Sequence, residues 1–277
     1  MSVLSLISKI IFASAIALAL NLPVSAQNPN PQSTQTVTKS PGAANTPATR
    51  TVNEFYRLIR EKNFREAIMM TNWRAAVETL SPQEVADLRP DFEALAAQAK
   101  VEITGEQVSG SAASVFVKGI DPETRELKID EIKLRRENSG WIIVMGDEQT
   151  EAAVRREGKN YFFKLRLENR HADAQAFLQD IVKAQLVHSL QNKGLFTDLA
   201  TLVKANLLPA EILGAETGYR YRLTLSPDRK KYAVNAEPVQ YGRSGKLSFL
   251  LESMGSKDGK PSLKSDDNGG KPYAVKN

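Results

Sequence analysis

The sequence predicts an α+β protein of two units, each with helices packed against an antiparallel sheet. Three observations carry that prediction. Apolar residues recur at helical spacing from Val52 to Ala99, then switch to strand alternation from Val101 to Val144. A charged, helix-prone stretch, 147–170, separates this block from the next. The second block repeats the order, with a long apolar helix over Asp173–Asn192 followed by three strand-like segments.

The chain opens on a segment of different character. Met1–Lys9 carries one positive charge, Ile10–Leu20 is an unbroken run of apolar and small residues, and Pro23-Val24-Ser25-Ala26-Gln27 follows. This is the layout of a secretory signal peptide, with Val24 and Ala26 at the two positions a signal peptidase reads. The apolar run has eleven residues, whereas roughly 20 are needed to span a bilayer. Cleavage after Ala26 and export to the periplasm or beyond are therefore expected. Residues 27–50 are rich in Pro, Gln, Thr, Ser, Asn and Ala, with Val37 the only large apolar residue. Such a composition cannot bury a core, so a disordered linker is expected there.

The first unit is expected over 51–146. Val52, Phe55, Tyr56 and Ile59 form one helical stripe, and Phe64, Ala67 and Ile68 resume it after Lys62-Asn63. Ser81-Pro82-Gln83-Glu84 marks a helix start, with Ser81 as cap, Pro82 in the first turn and Glu84 closing a capping box. Leu88, Phe92, Leu95 and Ala99 form its apolar face, with a bend expected at Pro90. Four strands follow. Val101 and Ile103 alternate with Glu102 and Thr104, then Ala113, Val115 and Val117 alternate beyond Ser109-Gly110. Leu127 and Ile129 continue after Asp121-Pro122-Glu123, but Ile132 and Leu134 lie on the other parity, so a β-bulge is expected at Asp130-Glu131. Asn138-Ser139-Gly140 turns the chain into Trp141-Ile142-Ile143-Val144.

This order, with Glu54-Phe55-Tyr56 at its start and Gly140-Trp141-Ile142-Ile143 at its end, resembles small secreted bacterial domains of the lumazine-binding-like group. These belong to the nuclear-transport-factor-2-like, or cystatin-like, superfamily. The resemblance implies a cone of helices on a curved sheet. It implies no single activity, since that fold serves enzymes, ligand binders and interaction modules.

Residues 147–170 are expected to form a charged helical connector, with Tyr161-Phe162-Phe163 docking on a neighbouring domain. The unit after it, 171–277, begins with the long helix. Ala174, Phe177, Leu178, Ile181, Val182, Ala184, Leu186, Val187 and Leu190 cover most of its circumference, so other structure is expected to wrap it. A short helix over Asp198–Asn206 and strands at Tyr219–Leu225, Lys231–Pro238 and Lys246–Glu252 complete the expected elements. The spine helix, Gln185…Gln191-Asn192-Lys193-Gly194, Leu199…Leu202, Gly218-Tyr219-Arg220-Tyr221, Tyr232-Ala233-Val234, Ala236-Glu237-Pro238 and Gly245…Ser248-Phe249 resemble the globular head of type IV pilin and pseudopilin-like proteins. The hydrophobic stem of that family is missing, because 147–172 is dense in Glu, Arg and Lys. The resemblance therefore implies a head module without stem-mediated assembly.

The chemistry offered by the residues is sparse. There is no cysteine, which excludes disulfides, thiolate nucleophiles and zinc–sulfur sites. The net charge of +5 falls to +4 without the leader, and basic residues sit beside acids, as in Arg135-Arg136-Glu137 and Arg155-Arg156-Glu157, so no nucleic-acid partner is expected. The two histidines, His171 and His188, have no ligand partner at helical spacing. His188 and Ser189, being adjacent on a helix, point about 100° apart and do not form a base–nucleophile pair. Glu102 and Glu106, or Asp130 and Glu131, are the carboxylates on offer for acid/base work, but alternation places Glu102 opposite Val101 and Ile103, as a solvated sheet face requires, and no sequence signal marks a raised pKa. Ser256–Gly259 and Ser265–Gly270 carry oxygen ligands that some major pseudopilins use for calcium, but lack the glutamate that closes an EF-hand loop.

No catalytic residue, cofactor or metal site is thus expected. The favoured expectation is an exported, non-enzymatic module that binds a protein partner in the cell envelope, a possible accessory to pilus or secretion machinery, touching membrane only through the leader. The alternative is a small-molecule binder or enzyme using the interior of the first unit, lined by Tyr56, Trp73 and Trp141.

Overall fold

A computed structural model describes residues 46–121, 124–138, 140–253 and 261–275. The leader and nearly all of the expected linker lie outside this range. The architecture is α+β, with helices and two four-stranded antiparallel sheets. The chain divides into two compact units between Phe162 and Phe163.

The first unit opens with α1 (Pro47–Arg60), α2 (Phe64–Met69) and α3 (Pro82–Gln98). Helix α1 starts earlier than the expected Thr51. Thr46 caps it, its Oγ1 accepting from the Thr49 amide at 3.2 Å and donating to Glu106 Oε1 at 2.5 Å, and Pro47 occupies the first turn. The last residues of the segment read as linker are thus folded, because one hydroxyl satisfies both a helix end and a strand side chain. Val52, Phe55, Tyr56 and Ile59 are buried, as the stripe required. The capping box on α3 is formed: Ser81 Oγ accepts from the Glu84 amide, and Glu84 Oε2 accepts from the Ser81 amide at 2.8 Å. Such a cap contributes about 1 kcal/mol.

The sheet follows as β1 (Glu102–Ser109), β2 (Ala112–Ile120), β3 (Leu127–Glu137) and β4 (Gly140–Ile143), in that order. Val115, Val117, Ile132 and Leu134 are buried on its inner face. The bulge expected at Asp130-Glu131 is absent, since β2 and β3 pair without a break from Ala112↔Arg135 to Ile120↔Leu127. The irregularity lies in β1, between Ile103 and Gly105. The change of parity in β3 has another cause. Leu127 and Ile129 are 70% and 62% exposed and stand on the outer face, where Leu127 meets Ile120 across the strands.

Helix α4 (Glu148–Glu157) and the start of α5 (Tyr161–Gln191) correct the expected connector. Val154 and Phe162 are buried in the first unit, whereas Phe163 onward belongs to the second. Of the charged residues in 147–170, Glu148, Arg155, Arg156 and Lys164 are exposed, whereas Arg166 is buried and Glu151 is tied to Asn72 and Arg135. The long helix accordingly begins at Tyr161 rather than Asp173.

In the second unit, Ala174, Leu178, Ile181 and Ala184 of α5 share a core with Leu202 of α6 (Leu199–Lys204), Ile212, and the sheet residues Tyr219, Val234 and Phe249. The sheet runs β5 (Tyr219–Leu225), β6 (Tyr232–Pro238), β7 (Ser248–Glu252) and β8 (Ser262–Asp266), all antiparallel. Strand β8 is not among the expected elements, because it is an edge strand exposed at every residue and so without an apolar pattern. Helix α5 is less fully wrapped than its apolar circumference predicts: Leu186, Val187 and Leu190 are exposed. Past β8, the chain crosses to Asn235, whose side-chain amide exchanges two hydrogen bonds with the Tyr273 backbone at 2.7 and 3.1 Å.

Candidate functional site

A cleft of about 250 Å³ lies between α2 and α3 of the first unit. Its walls follow from local structure. Helix α1 stops where Lys62 takes φ 60° and the Asn63 amide reaches back to the Leu58 carbonyl, turning the chain into α2. Phe64 and Ile68, one turn apart on α2, face Leu88 and Phe92, one turn apart on α3, and the Phe64 and Phe92 rings meet at 5.7 Å. Val77, Leu80 and Val85 complete an apolar floor.

The rim is mostly cationic, formed by Lys62, Arg65 and Arg89 with Glu66 as its one acid. The three cations are held differently. Lys62 Nζ is 3.2 Å from Glu93. Arg65 is fixed by donating to the Val77 and Glu78 carbonyls at 3.1 and 2.7 Å, which uses backbone acceptors and leaves its charge uncompensated. Arg89 is exposed and has no ion-pair partner among the described residues. An apolar floor beneath uncompensated guanidinium groups suits an apolar group carried next to an anion.

The residues weighed from sequence do not gather here. Tyr56 is buried, its hydroxyl has no hydrogen-bond partner among the described residues, and burial, with the nearby Asp130 charge, raises its pKa above the usual phenol value. Trp73 is fully buried against the rings of Tyr161 and Phe162 at 5.6 and 6.2 Å. Trp141 is half-buried, opposite Arg136 in the sheet. The first two are core side chains, and none of the three lines the α2–α3 cleft. Among the carboxylates, Glu106 is engaged by Thr46, Glu131 by Ser114 at 2.5 Å and Asp130 by Lys128 at 2.8 Å. Ser189 donates to the Leu186 carbonyl and His188 lies beside Asn192, so these two do not pair. Asp267 accepts from the Tyr241 hydroxyl and the Gly269 amide. Residues 256–259, the other half of the calcium reading, lie outside the described residues.

His171 has a definite role that spacing did not reveal. Its Nε2 accepts from the backbone amides of Lys246 and Leu247 at 3.0 and 3.3 Å, so the ring is neutral with its proton on Nδ1. Burial lowers its pKa below the ordinary histidine value, against the opposing pull of Glu168 and Asp267, while Lys246 adds to the lowering. The folded state thus prefers the neutral ring. The stabilisation is fully present above the unfolded pKa near 6.5 and is lost as pH falls through the lower folded value. Thermal melts of the second unit between pH 8 and pH 5 are expected to show this loss, and His171→Gln to flatten it. An unaltered pH profile in the variant would show that His171 is not its source.

The cleft was legible only in part. Phe64, Ile68, Leu88 and Phe92 belong to the helix stripes of the sequence, but Val77, Leu80 and Val85 do not, and the cations from Lys62 to Arg89 converge only when α2 and α3 fold together. No protein-family model matches the chain, and neither a curated protein nor a solved structure matches it.

Proposed function

We propose that this chain is an exported, non-enzymatic binding protein whose first unit holds a segment of a protein partner in the α2–α3 cleft. The observation that carries this reading is the pairing of an apolar floor with Arg65 and Arg89 on the rim. The cleft is smaller than the roughly 300–1,000 Å³ of pockets that enclose drug-sized ligands. It has room for one or two side chains, which suits an apolar anchor inserted from a partner whose flanking acids meet the rim. Export rests on the leader pattern of residues 1–26. A lumazine-binding-like first unit and a pilin-like second unit agree with the proposal, since both shapes serve as interaction modules. The alternative, a small amphipathic anion in the same cleft, would use the same chemistry without a partner chain.

The reading is tested with anilinonaphthalene sulfonate, an aromatic anion that reports by fluorescence, and with peptides that compete for it. The probe is expected to bind, and Arg89→Glu to weaken it about tenfold, as reversing a charge beside an apolar site costs roughly 1.4 kcal/mol. Ile129→Ser, on the outer sheet face, is expected to leave it unchanged. An acidic peptide with a central leucine should displace the probe, and its basic counterpart should not. Binding indifferent to Arg89→Glu would remove the cleft, and displacement by small carboxylates but by no peptide would favour the alternative.

A further inference from the structure

One end of the second unit combines exposed aliphatic side chains with cations. The last turns of α5 present Leu190, Leu186 and Val187, exposed by 79%, 58% and 39%. The helix then stops at Lys193 and Gly194, both with positive φ. The β5–β6 turn belongs to the same end. The Phe196 amide donates to the Arg229 carbonyl at 2.8 Å, and Arg229 donates to the Phe196 carbonyl and Thr197 hydroxyl at 3.2 Å. Thr197 is in turn clasped to α5 by Gln185. This fixes Lys230 and Lys231 beside the helix terminus.

Lys193, Lys230 and Lys231 are exposed and have no ion-pair partner among the described residues. The acids close by are engaged locally: Asp198 caps α6, and Asp228 accepts from the Ser226 hydroxyl and the Lys230 amide. Charge that is mixed along the sequence is also uneven between the units. Residues 163–277 contain 18 Lys and Arg against 12 Asp and Glu.

We propose that this end is a peripheral binding site for an anionic lipid surface, independent of the α2–α3 cleft. Its composition separates lipid from protein. Sites that carry the affinity of protein contacts are rich in Trp, Tyr and Arg seated in pockets, whereas Leu and Val are under-represented and Lys is depleted. The end of α5 shows the reverse, a ridge of Leu and Val flanked by flexible lysines. Aliphatic groups can enter the headgroup boundary while ammonium groups stay among the phosphates. This contact is separate from the leader, through which alone the sequence predicts membrane contact.

The test is co-sedimentation with vesicles, using the full chain and, in parallel, the chain from Gln27 so that the apolar leader does not itself supply binding. Binding is expected to vesicles containing about 40% phosphatidylglycerol and not to pure phosphatidylcholine, and to weaken as salt rises. Each of Lys193→Gln, Lys230→Gln and Lys231→Gln should weaken it about fivefold. Leu186→Ser with Leu190→Ser should abolish it, with thermal melts unchanged because both side chains are already exposed. No binding to anionic vesicles, or binding indifferent to these substitutions, overturns the proposal. Binding to polyglutamate with the same dependence on the variants, but not to vesicles, would assign the surface to an acidic protein instead and also overturn it.

Discussion

Phe162→Ala is expected to destabilise the first unit by about 3–5 kcal/mol, the cost of removing a buried phenyl ring and leaving its space unfilled. Phe162 is 3% exposed and sits among rings: Phe92 meets it edge-on at 4.9 Å, Tyr161 at 5.4 Å and Trp73 at 6.2 Å. Its ring joins α3 and the Trp73 segment to the start of α5. Neighbours from three segments cannot all close the gap, so the loss belongs at the upper end for a large-to-small change. The measurement is direct because both tryptophans, Trp73 and Trp141, lie in the first unit. Urea unfolding followed by tryptophan fluorescence therefore reports that unit. Phe162→Leu, which refills most of the volume, should recover more than half of the loss. A midpoint within 1 kcal/mol of the parent for Phe162→Ala would mean that the ring cluster is not a keystone of this core.

The second large effect is expected at Gln185, in the other unit. Gln185 is fully buried on α5, and its amide meets the Thr197 backbone twice: Nε2 donates to the carbonyl at 2.5 Å, and Oε1 accepts from the amide at 3.1 Å. The Thr197 residue is itself 1% exposed. Gln185→Leu keeps the volume but strands a buried donor and a buried acceptor. At about 1–3 kcal/mol for each unsatisfied group, a loss of about 3 kcal/mol is expected. Hydrogen exchange at the Thr197 amide should accelerate sharply, which a mere packing defect would not cause. If stability falls by less than 1 kcal/mol and that amide stays protected, the clasp is dispensable.

The two sites differ in how far the sequence disclosed them. Tyr161-Phe162-Phe163 was readable as an apolar knot in charged surroundings, but its partners were not, because Phe92 and Trp73 lie about 70 and 90 residues away in the chain. Gln185 enters the sequence pattern only as one residue of the pilin-like resemblance, with no role of its own. That it is the inward-facing residue, while the apolar Leu186 faces out, contradicts hydrophobicity and follows from a tertiary hydrogen bond. The β3 strand teaches the same lesson. The shift in its apolar phase was read as a bulge, yet its pairing with β2 is unbroken. Alternation encodes an inner and an outer face only where something covers one of them, and Leu127 and Ile129 lie where both faces are wet.

The sequence by itself determined the fold class, the β1–β4 order of the first sheet and the α3 capping box. These depend on residues within a few positions of one another, through helical or strand periodicity and local backbone hydrogen bonds. Only the tertiary structure decided where one unit ends and the next begins, which face of α5 is covered, and which cations border the α2–α3 cleft. Those outcomes depend on which surfaces far apart in the chain exclude water together. Burial is a property of the pair in contact, and neither member carries it alone.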